Sequence, residues 1–200
     1  MKKIIFIALS IMTALVVFVA ATHSIAGLKV GDTAKDFKLK NIDGKMISLS
    51  DFKDAKGFII NFTCNSCPFA VLYQDRVVEM QSKYGKSYPI INVMPNDVSI
   101  KPEDGFQHMQ ERAKEVGYQY YVLDEKQEVV RQFGAERTPH VYVLDRNLKV
   151  RYIGAIDDSP QNEEEVKINY VSNAIKAIEN GQEPNPSFTK AIGCSIKFKK

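Results

Sequence analysis

A Cys-x-x-Cys pair at the junction of an apolar run and a helical pattern constrains this chain more than any other feature. Residues 58–62, Phe-Ile-Ile-Asn-Phe, have the apolar, β-branched and aromatic content of a buried strand. Cys64-Asn65-Ser66-Cys67-Pro68 follows, and Pro68 suits a first helical turn, where an N–H has no partner to lose. A helix N-terminus carries roughly half a positive charge and free N–H donors, so it favours thiolate over thiol. Cys64 and Cys67 are therefore the candidate reactive pair. Cys64, the more N-terminal and expected to be the more exposed, is read as the attacking thiol; Cys67, one turn further in, as the thiol that resolves the mixed disulfide. The same motif can be half of a zinc site or a structural bridge. No second Cys-x-x-Cys or His-x-x-His follows, which speaks against a four-ligand structural zinc.

The amino terminus reads as an export signal. Met1-Lys2-Lys3 is basic, residues 4–20 are almost wholly apolar, and Ser24-Ile25-Ala26 supplies small residues where a signal peptidase reads them. Residues 1–26 are thus expected to be a signal peptide cleaved after Ala26, with residues 27–200 as one domain of ordinary size ending in a tail, 182–200. Membrane association follows only if the apolar run stays uncleaved as an anchor. In a two-membrane bacterium the compartment is the periplasm. The chain carries 27 Lys and Arg against 24 Asp and Glu, and losing Lys2 and Lys3 leaves it near +1, which gives no reason to invoke nucleic acid. In an oxidising compartment the odd count of three cysteines, Cys64, Cys67 and Cys194, fits thiols that exchange partners better than a stapled scaffold.

The remaining pattern predicts an α/β sandwich with a mixed sheet. Residues 36–49 form a hairpin turning at Asp43-Gly44, Ser50 to Phe52 a short helical turn, and residues 58–62 the first central strand. Phe69, Leu72, Tyr73, Val77, Met80 and Tyr84 recur at helical spacing from Pro68 to Tyr84, and Gly85 ends that helix. A strand at 88–94, a helix at 103–116, a strand at 118–123 and a short helix at 127–133 follow. Val141 to Asp145 and Leu148 to Gly154 make a second hairpin, and residues 162–180 are expected to be one amphipathic helix, with Asp157 and Asp158 ending a strand and capping it. With 44% hydrophobic residues the chain can bury a sizeable core.

Strand, Cys-x-x-Cys at a helix start, β-α-β, then Thr138-Pro139 opening a hairpin before a last helix: this order resembles the thioredoxin fold over roughly residues 27–181. The stretches Asn61 to Phe69, Asn96-Asp97, Thr138-Pro139, Ile156 to Asp158 and Gly193 to Lys197 resemble more closely the peroxiredoxin-like AhpC/TSA, or redoxin-domain, group. The resemblance implies an exported thiol-disulfide oxidoreductase with Pro139 as the cis-proline beside the disulfide. Such a bond turns the Thr138 backbone towards the sulfurs and leaves its N–H and C=O to pair with an extended substrate strand. It implies no organic cofactor, a protein or small-molecule thiol or disulfide as substrate, and an external partner that recycles the pair. Thiol peroxidase activity is disfavoured. With Cys67 at the peroxidatic position, the expected Thr and Pro fall on Cys64 and Ile60 and the expected Arg on Pro139. Unlike thioredoxin, the chain has no Trp and no acid at position 58 to assist proton transfer.

Two readings stay open at this point. Cys194 is either a free thiol on a mobile tail or an additional thiol that folds back to pair with Cys64 or Cys67. As an alternative to catalysis, His140 with Cys64 and Cys67 would make a copper-type site, or the chain would be a protein-partner binding module. His108 is read as solvated.

Overall fold

The computed structural model describes residues 27–200; the expected signal segment and its cleavage point lie outside the described residues. No described helix is long and apolar enough to cross a membrane.

The alternating runs become strands of one seven-stranded sheet. In chain order these are β1 (Lys38–Asn41), β2 (Met46–Ser48), β3 (Gly57–Phe62), β4 (Ile90–Met94), β5 (Tyr121–Leu123), then, after a short β6 (Arg137–Thr138), β7 (His140–Asp145) and β8 (Val150–Gly154). The sheet runs β2-β1-β5-β4-β3-β7-β8. The pairs β3–β4 and β4–β5 are parallel, and β1–β5, β3–β7 and β7–β8 antiparallel, so the sheet is mixed, as expected. Its period-2 alternation sorts the core into two layers. Ile59, Ile90, Met94, Val141 and Val143 face one side; Phe58, Ile60, Phe62, Ile91, Val93, Tyr142 and Leu144 face the other. On that second face Phe62, Phe133 and Tyr142 meet edge to face at centroid distances of 5.1–5.8 Å, a geometry worth about 0.5–1.5 kcal/mol per pair beyond burial.

Five helices cover the sheet among the described residues: α1 (Pro68–Leu72), α2 (Gln74–Tyr84), α3 (Phe106–Val116), α4 (Glu128–Phe133) and α5 (Tyr170–Glu179). Two differ from the sequence pattern. The single helix predicted over residues 68–84 is broken at Tyr73, whose N–H bonds three residues back to Ala70 O, tightening the turn while its ring points inward. The helix predicted from residue 162 begins only at Tyr170. Asn162 caps a separate 3-10 turn at Glu163–Glu165, and Asp158 takes the N–H groups of Lys167 and Ile168, holding that stretch extended. Asn169, accepting from Ser172 N, caps α5, so neither Asp157 nor Asp158 does so.

The tail is docked rather than loose. Its strand β9 (Cys194–Ser195) pairs antiparallel with β6, Ile196 is buried in the second core layer, and Lys197 O accepts Asp97 N–H at 2.8 Å.

Candidate functional site

The thiol loop hangs between β3 and α1. Cys67 is the N-cap of α1 and Pro68 its first residue, the helix start expected from the sequence, so the N-terminus of the helix lies at Cys67, with Cys64 three residues before it. Both sulfur-bearing residues are buried, Cys64 at 3% exposure and Cys67 at 1%, so Cys64 has no marked advantage in access. The Thr138–Pro139 peptide is cis. It brings Thr138 against both sulfurs: its Oγ1 lies 3.2 Å from Cys64 Sγ and its carbonyl oxygen 3.0 Å from Cys67 Sγ.

An acid that the sequence pattern did not single out holds the loop. Asp104, fully buried, accepts from the backbone N–H groups of Asn65 (2.9 Å) and Ser66 (3.0 Å), from Ser66 Oγ–H (3.0 Å) and from Asn96 Nδ2–H (2.7 Å). Asn65 adds its own side chain to Glu103 O and accepts from Tyr121 Oη. The two residues between the cysteines are thus fixed by a carboxylate about 38 positions downstream, a separation that no local motif reports.

These surroundings split the acidities of the pair. Cys67 is drawn down to about 4 by the hydrogen bond from the Cys64 thiol, against the cost of burial, with help from the Cys194 thiol and the N–H groups of Ala70 and Cys194. Cys64 is pushed far up, first by giving that hydrogen bond, then by burial and by the Asp104 charge. Within the reduced pair these contacts favour the negative charge on Cys67 over Cys64.

Cys194 completes the cluster. Its Sγ lies 2.6 Å from Cys67 Sγ, and its N–H points at the same sulfur at 3.4 Å. Burial and the neighbouring Cys67 push its thiol up to about 11. The tail is folded back onto the site, as the second reading has it, with Cys194 a free thiol beside Cys67 and not disulfide-bonded to either cysteine. In that position β9 engages the Thr138 backbone edge, which the resemblance would have left open for a substrate strand.

The other candidates lie apart. His140 packs on Tyr142 at 5.0 Å, accepts the Glu136 N–H on Nδ1 and is lowered to about 4 by burial, hence neutral. No cluster of three or more His, Cys, Asp or Glu suited to a metal ion occurs among the described residues, so the copper-type grouping of His140 with both cysteines is not assembled. Arg137 is exposed and reaches the tail, at Ser195 Oγ (2.9 Å). His108 is exposed beside Glu111. Asp157, read as a strand end, instead forms a buried ion pair with Arg76 (2.7 Å) and accepts from Tyr73 Oη (2.8 Å), tying the α1–α2 break to the segment after β8.

The comparisons with known proteins converge on this architecture. The model of the AhpC/TSA family matches residues 30–153. The thiol-disulfide oxidoreductase ResA of Geobacillus thermodenitrificans is 26% identical over 128 residues, covering 62% of this chain and 68% of that protein. An uncharacterized conserved protein from Geobacillus kaustophilus superposes with a TM-score of 0.79 and 36% identity over 86% of this chain and 93% of its own. The thioredoxin domain of a thiol-disulfide oxidoreductase from Bacteroides vulgatus aligns at a TM-score of 0.52 and 19% identity, over 62% of this chain and 86% of that domain, a likeness of fold. The mixed sheet with flanking helices is thioredoxin-like.

Proposed function

The chain belongs to the AhpC/TSA family, and from that premise we propose that it is an exported thiol-disulfide oxidoreductase working through Cys64 and Cys67. The observation that carries this reading is the placement of the pair: two buried sulfurs, both against Thr138 at the cis-proline turn, the second on the residue that caps α1.

The direction of the acidity difference supports Cys67, in place of the Cys64 expected from the motif alone, as the attacking thiol. A Cys67 thiolate attacks one sulfur of a substrate disulfide, forming a mixed disulfide and releasing the first substrate thiolate, which takes up a proton. Cys64 then gives up its proton and attacks Cys67 Sγ, closing Cys64–Cys67 and releasing the second substrate thiol. Two electrons pass from the pair to the substrate, and the reverse sequence oxidises a dithiol. The low pKa of Cys67 makes it the better leaving group whenever that bond is attacked at its partner sulfur. Thr138 Oγ1, beside Cys64, stabilises the thiolate that Cys64 must become. No organic cofactor takes part; a separate thiol or disulfide partner returns the pair to its starting state. The apolar leader with its small-residue cleavage site supports the exported part of this reading.

The test is a glutathione redox series on the purified protein, with acid quenching and mass mapping of the linkages. A Cys64–Cys67 bond that forms and breaks reversibly as a two-electron couple is the expected result. A pair that stays reduced at every potential, or is never linked to each other, ends the dithiol reading.

A further inference from the structure

Cys67 has a thiol on each side, and the proposed exchange uses only one of them. Cys194 Sγ stands 2.6 Å from Cys67 Sγ, inside the contact distance of two non-bonded sulfurs and not far beyond the roughly 2.0 Å of a disulfide. The tail that brings it there is built for the position. Gly193 lies so close to the cis-proline turn that a Cβ would fall 2.1 Å from Thr138 O and 2.7 Å from its carbonyl carbon, so no side chain fits at 193 while β9 is paired. Beyond Cys194 the chain is pinned by Ile196 N–H to Glu136 O (3.0 Å), Lys197 N–H to Asn96 Oδ1 (2.9 Å) and Lys199 N–H to Gln127 Oε1 (2.7 Å). Cys194 is also the half-buried member of the three, where Cys64 and Cys67 are closed off.

Resting on the dithiol reading above, we propose that Cys194 is a third catalytic thiol that resolves substrate disulfides on Cys67 first and passes the disulfide inward to Cys64. When a substrate half is bound to Cys67, the Cys194 thiolate attacks Cys67 Sγ. The Cys67–Cys194 bond forms, the Cys67–substrate bond breaks, and the substrate leaves as its thiol with the proton Cys194 gave up. Cys64 then attacks Cys67 Sγ in turn: Cys64–Cys67 forms, Cys67–Cys194 breaks, and the Cys64 proton passes to Cys194. The second step is an isomerisation with no net electron change. In the reverse direction a reducing thiol enters by attacking Cys194 Sγ, the accessible end, and expels Cys67, the better leaving group. Because β9 occupies the Thr138 edge, an extended peptide strand is kept from that edge while the tail is docked.

Three variants test this against glutathione disulfide, with acid quenching and mass mapping over time. Cys64→Ser is expected to yield an intramolecular Cys67–Cys194 disulfide and two equivalents of glutathione; glutathione held stably on Cys67 with Cys194 free overturns the proposal. Cys194→Ser is expected to reach the same Cys64–Cys67 end state on the order of tenfold more slowly, or slower still, since an exposed exchange step is lost. Gly193→Val, which keeps all three thiols and displaces the tail, is expected to show the same slowing. A Cys194→Ser protein that closes Cys64–Cys67 as fast as wild type sinks the relay and leaves the dithiol reading standing. One that never closes that bond at any potential sinks both.

Discussion

Two buried polar clusters flank the α1 segment and solve the same problem in opposite ways. Behind it, Asp157 is neutralised by Arg76 at 2.7 Å, with Tyr73 Oη and Ser159 N–H filling the remaining acceptor sites and the guanidinium stacked 4.2 Å over the Tyr73 ring. In front, on the thiol side, Asp104 has no cation among its described contacts and is held by four hydrogen bonds alone, while His140 is buried with no charged partner. A paired charge exerts little net field on its neighbours, so the rear cluster can brace the fold without disturbing the sulfurs. An unpaired charge keeps its field. The front cluster therefore spends stability on chemistry: Asp104 opposes ionisation of Cys64 and so helps leave the thiolate on Cys67.

The largest effect should come from breaking the rear pair. Arg76→Ala leaves Asp157 buried without its cation, and the loss expected from denaturant unfolding is about 3–5 kcal/mol. The redox equilibrium of the thiols should not move. A loss below about 1 kcal/mol would put this buried pair in the range of an exposed one and undo the contrast.

Next in size is the pH response of the front cluster. Burial lowers His140 from 6.5 to about 4, so between those values the unfolded chain takes up a proton that the folded chain refuses. The stability that His140 contributes is whole above pH 6.5, falls as the pH drops and levels off below about 4. Across that window wild type should lose roughly 3 kcal/mol more than His140→Gln, which has nothing to titrate there. Urea midpoints at pH 7, 5.5 and 4.5 for both proteins measure the difference. Equal slopes would mean that His140 is protonated in place.

What the sequence made legible follows the range of the interactions. The thiol loop, both hairpins and the central strands are local: turn residues, period-2 alternation and Pro68 at a helix start suffice to find them. The helix misread at residues 162–169 looked amphipathic, but the two backbone N–H groups taken by Asp158 outweigh that pattern, and nothing in the order of residues announces it. Asp104 was invisible for the same reason, since its donors sit on the thiol loop and after β4. The strand β9 is two residues long, too short for any periodicity; the odd third cysteine and the resemblance carried by Gly193 to Lys197 were what hinted that the tail had business at the site.

The smallest change in stability, and the most informative about the sulfurs, is expected from Asp104→Asn. The amide keeps the size of the carboxylate and can still accept from Asn65 N–H and Ser66 N–H through its oxygen. Its NH2 then faces the Nδ2 of Asn96, donor against donor, where the carboxylate accepted at 2.7 Å. The Ser66 hydroxyl, which donated to the same oxygen, can turn to accept from the new NH2, so one buried hydrogen bond is left unmade, at a cost of about 1–3 kcal/mol, less than the rear pair. The removed charge acts separately. It was one of the groups pushing Cys64 up, after the hydrogen bond to Cys67 and burial, so Cys64 should ionise more readily and the preference for a Cys67 thiolate should narrow. Alkylation of the reduced protein by iodoacetamide, mapped to each cysteine across pH, should show Cys64 several-fold more reactive in Asp104→Asn and unchanged in Arg76→Ala. If both variants, or neither, alter Cys64, the field at the sulfurs does not come from the unpaired acid, and the division between a bracing cluster and a tuning cluster fails.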